Sequence, residues 1–210
     1  MVNLPNWLDL RFAVGDDDWI DMSQVQVLQH RVELDLQRGV LSRQLRFVDA
    51  AGRHTAIHQR RFVHMMQPQL AVLHTSFTAE DWSGRLRVAS GLDGAVANTG
   101  VARYQDMASQ HLDIIHTAQP DPRTVLLLAR TTQSQVRVAE AARTRVHRGE
   151  MPDELLDPAI FRHCRWEVAP TTLRTWRLSI DPRSKLLGML GSTSGSLLHV
   201  ARCPLAIVRH

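Results

Sequence analysis

Between Gln29 and Asp93 apolar and polar residues alternate so regularly that little besides extended chain can satisfy the pattern. Val32, Leu34 and Leu36 alternate with Arg31, Glu33, Asp35 and Gln37, and Leu41, Leu45 and Phe47 alternate with Ser42, Gln44 and Arg46. A period of two sends successive side chains to opposite faces of a strand, whereas a helix repeats near 3.6. Further runs follow at His54 to Met66, Leu70 to Phe77, and Leu86, Val88, Ser90 and Leu92. The breaks fall at Gly39, at Asp49-Ala50-Ala51-Gly52, at Pro68 and at Asp81-Trp82-Ser83-Gly84. Each is turn chemistry, and Gly52 can take a positive φ at little cost. Short strands at close spacing, each with one apolar face, predict a mainly β chain folded as an antiparallel β-sandwich.

The flanks extend the pattern. Leu8, Leu10 and Phe12 alternate with Asp9 and Arg11, giving a strand entered through Pro5. Asp113 to His116 and Val125 to Ala129 read as strands separated by Pro120-Asp121-Pro122. The second lacks alternation and is expected to be buried on both faces. Val136, Val138 and the Ala139 to Ala142 stretch fit a strand or a helix equally well. Glu150, Asp153, Glu154 and Asp157, punctuated by Pro152 and Pro158, mark a change of composition.

Composition narrows the function classes. A chain of 210 residues with 44% apolar content is long enough for one substantial core. No apolar run approaches the ~20 residues that cross a bilayer, and the start lacks the pattern of a signal peptide, so no membrane association is expected. Two cysteines, Cys164 and Cys203, supply no disulfide framework and suit a reducing compartment, so a cytoplasmic location is expected. Net charge is +4, yet Lys185 is the only lysine among the 25 basic residues, which points to a GC-rich coding sequence more than to phosphate contacts. Arg53, Arg60 and Arg61 cluster with His54 and His58, but no recognition motif accompanies them, and no nucleic-acid partner is expected.

Tests for catalytic or metal chemistry come out negative. His54 and His58 share a strand face four residues apart, hence ~13 Å apart. A single metal ion holds its ligands at about 2 Å, so these two cannot chelate together. The Asp16-Asp17-Asp18 triplet lacks the alternate spacing and distant Glu of an EF-hand loop. Glycoside cleavage needs two convergent carboxyls. Glu33, Asp35, Glu80 and Asp81 are candidates by type, but strand placement makes Glu33 and Asp35 solvated face residues. No GxSxG elbow or phosphate-binding loop occurs. No catalytic residue, metal site or cofactor is therefore assigned. Trp7, Trp19 and Trp82 offer flat apolar faces on which sugar C–H groups pack well, though tryptophans near strand ends also plug cores. Trp7 and Trp82 are the candidates for sugar contact.

Several segments carry a family resemblance. Asn3-Leu4-Pro5-Asn6-Trp7-Leu8-Asp9-Leu10-Arg11-Phe12 resembles part of the N-terminal domain of glycoside hydrolase family 65, which includes the trehalose, maltose and kojibiose phosphorylases. Glu33 to Leu41, Gln59-Arg60-Arg61-Phe62-Val63, Trp82-Ser83-Gly84, Leu92-Asp93-Gly94 and Gly100 to Tyr104 continue it in order, from about residue 3 to about residue 148. The resemblance implies a large β-sandwich and favours strand at 136–142. In that family the catalytic acid and phosphate site lie in a following (α/α)6 barrel, which these residues do not include. The expectation is thus a non-catalytic accessory domain of carbohydrate metabolism over residues 1–148, with α-glucoside as its candidate ligand. The alternative is one component of a split trehalose or maltose phosphorylase or hydrolase, whose (α/α)6 barrel subunit is encoded separately and would be its partner.

Residues 149–184 are expected to be a linker or unassigned segment. Residues 185–210 resemble the end of a universal stress protein: a loop at Gly188 to Ser194, then a helix, then a last parallel strand at Cys203 to Arg209. This implies a short α/β tail and, as a further alternative, a stress-type function. ATP binding is not expected. The early phosphate-loop glycines of that family would fall near Leu178 to Pro182, where Asp181 adds like charge and Pro182 removes an amide donor.

Overall fold

A computed structural model describes residues 3–97, 109–121, 123–146, 171–180, 186–191 and 206–208. Every element among them is a strand, and every pairing between strands is antiparallel. The expected mainly β, antiparallel architecture is what forms.

The largest sheet has six strands. Its centre is a meander of β2 (Gln26–Asp35), β3 (Val40–Val48), β4 (His54–Val63) and β5 (Ala71–Ala79), and beyond β5 come β12 (Leu186–Gly191) and β10 (Arg145–Val146). The turns are the ones the sequence marks. Gly39 and Gly52 take φ of 65° and 79°, and Gly52 N–H closes the turn by donating to the Asp49 carbonyl at 2.9 Å. A side chain at either position would be strained.

A three-stranded sheet places β6 (Gly84–Asp93) between β1 (Asn6–Val14) and β11 (Thr171–Ile180). A four-stranded sheet runs in the order β13 (Ala206–Val208), β9 (Arg137–Arg143), β8 (Thr124–Thr131), β7 (Leu112–Asp121). The three-stranded sheet serves both of the others. Phe12, Val14, Leu86 and Val88 pack against Leu45, Phe47, Ile57 and Phe77 of the six-stranded sheet. Phe12 meets Phe77 edge-on at 5.2 Å, the preferred aromatic geometry. Leu92, joined by half-buried Trp7, packs against Val125, Leu127, Ala129 and Ala142.

Three expectations are revised. Val125 to Ala129 is not buried on both faces: Val125, Leu127 and Ala129 are buried while Leu126 and Leu128 are half-exposed, because the four-stranded sheet is covered on one side. The apolar face of Val32, Leu34 and Leu36 is not buried either. Val32 is 53% and Leu34 54% exposed, because β2 lies at the sheet edge, and Leu36 in the turn after it is 85% exposed. In the tail, Gly188 to Gly191 is not a loop but part of β12, paired with β5, and the last strand runs antiparallel to β9, not parallel. Backbone pairing to existing sheet edges decides both, and it does not reproduce the stress-protein arrangement. Residues 192–205, where a helix was expected, lie outside the described residues, as do Cys164 and Cys203. Within the stretch expected as a linker, Thr171 to Ile180 forms β11 against β6.

Candidate functional site

The connection from β1 to β2 carries the carboxylate triplet, and backbone bonds fix its path. Gly15 N–H donates to the Arg85 carbonyl at 2.6 Å, Asp17 N–H to Val14 at 3.2 Å, and Ile20 N–H to Phe12 at 2.9 Å. Ile20, Met22 and Val25 then anchor the segment against the main core. Between this loop and the β3–β4 turn lies a cavity of about 550 Å³, lined among others by Asp17, Asp18, Trp19, Asp21, Asp49 and Arg53. That is within the usual size of a small-molecule site, roughly 300–1,000 Å³.

Arg53 ties the two walls together. Its Nη2 donates to Asp17 Oδ2 at 2.6 Å and its Nε to Asp49 Oδ2 at 2.7 Å. Asp49 Oδ1 also accepts from the Ala51 and Arg53 backbone N–H groups at 2.9 and 3.0 Å. The Asp49 side chain is only 6% exposed, so these donors replace the water it gives up. Partial burial opposes the charge on Arg53, but the Asp17 and Asp49 carboxylates outweigh it and hold the guanidinium more firmly protonated than usual. Asp21 lies below the ordinary carboxylate range because the Ser23 backbone N–H and then its side chain bond to it.

Trp19 supplies the flat face at this cavity and is 38% exposed. The Arg87 guanidinium carbon lies 5.1 Å from its ring centroid, and Arg87 Nη2 donates to the Asp17 carbonyl. An aromatic face beside carboxylate acceptors and a guanidinium is suited to a polyhydroxylated ring: C–H faces stack on the indole while hydroxyls donate to Asp and accept from Arg.

Trp7 and Trp82, the two candidates for sugar contact, lie elsewhere. Trp82 is 7% exposed within the main core, and its indole N–H donates to the His54 carbonyl at 3.0 Å and to Thr55 Oγ1 at 3.1 Å. A ring enclosed in this way plugs the core. Trp7 packs on the second core cluster, and neither lines the cavity. The candidate carboxyls do not converge. Each is taken up by its own cation: Glu33 pairs with Arg31, Asp35 with Arg38, Glu80 with Arg46 and Asp81 with His54. Bonds from the His54 backbone N–H and then its ring hold Asp81 below its usual range. Among the described residues no group of His, Cys, Asp and Glu is arranged to hold a metal ion.

Sequence reasoning missed the Arg53 clamp and Glu140. The pair Asp49 and Arg53, four apart across a Gly turn, was the available signal for the first. Glu140 shares the strand face of Val138 and Ala142, is 3% exposed, and burial pushes its carboxyl up to about 8. It is far more basic than an ordinary carboxylate, yet it lies in a sheet interior and not at the cavity.

Comparison with known proteins agrees with this architecture. The family described as glycosyl hydrolase family 65, N-terminal domain, matches residues 1–175. An uncharacterized glycosyl hydrolase of Mycobacterium tuberculosis is 43% identical over 150 residues, covering 70% of this chain and 11% of that protein. Kojibiose phosphorylases of Thermoanaerobacter brockii and Caldanaerobacter subterraneus are 23% and 25% identical, each over 19% of its own length. The chain thus spans about a tenth to a fifth of the curated relatives it matches.

Proposed function

Since the chain belongs to the glycosyl hydrolase family 65 N-terminal domains, we propose that it is a non-catalytic accessory domain for an enzyme acting on α-linked disaccharides. The disposition of its carboxyls carries the non-catalytic reading. A glycosidic acid must hold a proton near neutrality and face a partner carboxylate across the substrate. At the cavity, Asp17 and Asp49 are engaged by Arg53 and Asp21 is pushed down. Among the described residues the carboxyl that is pushed up, Glu140, faces a sheet core. The acid–base pair is therefore expected on another part of the enzyme, and the cytoplasm is its proposed compartment.

The cavity at Trp19 is the proposed place of α-glucoside contact. Purified chain incubated with kojibiose, trehalose or maltose, with and without phosphate, is expected to release no sugar or sugar phosphate. Turnover above blank that disappears on Asp21→Asn would overturn the reading. Titration with the same disaccharides should quench tryptophan emission, and Trp19→Ala should abolish the response. Unchanged quenching in that variant would remove the cavity from the assignment.

A second reading concerns the partner. The chain would complete a phosphorylase or hydrolase by joining a separately made (α/α)6 barrel. Restoration of disaccharide turnover on mixing the two would support it, and inactivity of a confirmed complex would sink it.

A further inference from the structure

The inner face of the six-stranded sheet changes character along its strands. Leu45, Ile57 and Phe77 stand side by side on β3, β4 and β5 and are buried in the main core. Two residues away on each strand, the same face carries Arg43, Gln59 and Thr75, again as one cross-strand row. A second cavity, of about 100 Å³, lies over the step between these rows. Both rows line it, together with Leu10 of β1 and Met22 of the connection from β1 to β2. Leu10, Met22, Arg43 and Gln59 are half-buried, so its rim reaches solvent.

The polar row is incompletely satisfied. Gln59 Nε2 donates to Thr75 Oγ1 at 3.2 Å, but among the described residues nothing accepts the Thr75 hydroxyl proton, and Thr75 is 1% exposed. Arg43 Nε donates to His30 Nε2 at 3.3 Å, and no carboxylate lines the cavity to meet the rest of its guanidinium. A buried hydroxyl with a proton to give, beside a cation, calls for an anionic acceptor. We propose that this cavity binds the monoanion of a short-chain carboxylic acid, of about three to five carbons. The carboxylate accepts from Arg43 and from the Thr75 hydroxyl, and the alkyl tail lies on Leu45, Ile57 and Phe77. The proposal goes beyond the accessory reading and holds whether or not the chain touches sugar.

Reach, size and charge decide the class. Two residues of strand advance about 6.7 Å, the span from a carboxylate to the end of a short alkyl chain. At about 30 Å³ per water, the cavity has room for roughly three waters, or on the order of six heavy atoms of a ligand. A sugar ring is too large for it. One guanidinium balances one negative charge. The second charge of a phosphate would lie against the apolar row, where a charge without a partner is costly. An alkyl tail gains there instead, by about fourfold in affinity for each buried methylene. The cavity at Trp19 has the opposite character, with four Asp side chains and one Arg in its wall, so the two select different ligands.

The test is saturation-transfer difference NMR and calorimetric titration of the full chain with sodium butyrate, with circular dichroism confirming that each variant is folded. Butyrate is expected to bind saturably with a Kd in the millimolar range. Neutral butyramide and inorganic phosphate should bind roughly tenfold more weakly or worse. Affinity should rise from acetate to butyrate and fall by octanoate, which outgrows the cavity. Arg43→Gln should weaken butyrate roughly tenfold or more. Thr75→Val keeps the shape of the side chain and removes the hydroxyl, and should weaken it roughly threefold or more. Arg43→Lys keeps the charge and loses the fork, so it should fall between wild type and Arg43→Gln. No saturable butyrate signal, butyramide or phosphate binding as tightly as butyrate, or unchanged affinity in both Arg43→Gln and Thr75→Val would each overturn the proposal.

Discussion

The Arg87 guanidinium lies 5.1 Å from the centroid of the Trp19 ring while also donating to the Asp17 backbone carbonyl, so one side chain from β6 holds two points of the cavity loop. A cation over an indole contributes about 0.5–2 kcal/mol depending on desolvation. Arg87→Ala removes that contact and the carbonyl bond together. It should lower the melting temperature by several degrees and weaken any disaccharide response at Trp19. Arg87→Lys, which keeps charge but loses the planar stack and fork, should fall between the two.

Asp49 is the more critical member of the clamp, since one buried carboxylate satisfies two backbone donors and Arg53 Nε. Asp49→Ala leaves those donors short of an acceptor, a loss of about 1–3 kcal/mol. Asp49→Asn retains an acceptor oxygen for the turn and should cost less. Urea denaturation midpoints at neutral pH would order the three proteins.

Glu140 makes stability depend on pH in an unusual direction. Its folded value of about 8 lies above the ordinary carboxyl value of 4.5, so the folded state binds the extra proton. Stability is then lost as pH rises from about 4.5 to about 8, the reverse of an ion-paired carboxylate. Glu140→Gln should be more stable than wild type above pH 5. The advantage should grow to a plateau near pH 8, on the order of a few kcal/mol. Thermal melts of both proteins across this range give the difference directly, and a constant difference would refute the account.

Phe77 is fully buried in the main core, in edge contact with Phe12, whereas Met65 is 90% exposed. Phe77→Ala should cost about 3–5 kcal/mol and Met65→Ala within about 0.5 kcal/mol. Chemical denaturation at equilibrium distinguishes them.

The strands were legible because alternation is local. From Gln29 to Asp93 the polarity of each residue and its neighbours sufficed, and the turns at Gly39 and Gly52 stand where predicted. What alternation cannot report is whether an apolar face is covered. Val32 and Leu34 repeat as Leu45 and Phe47 do, yet only the latter pair lies beneath the three-stranded sheet. Trp82 could by sequence contact sugar or plug a core, and the fold buries it, with His54 and Thr55 satisfying its N–H. The cavity was hidden for a different reason. Trp19, Asp49 and Arg87 come from three separate segments, and no pattern within any one of them encodes their meeting.

The central strands acquire their outer neighbours late. Phe77 of β5 lies opposite Leu186, and Asp93 of β6 lies opposite Thr171. During translation at about 5–20 residues per second, β6 emerges roughly 4–16 seconds before the strand that seals it. Over that interval the nascent sandwich presents two ready templates for strand addition, and whatever occupies them first competes with β11 and β12. Protein cut before Thr171 would stay in that condition permanently.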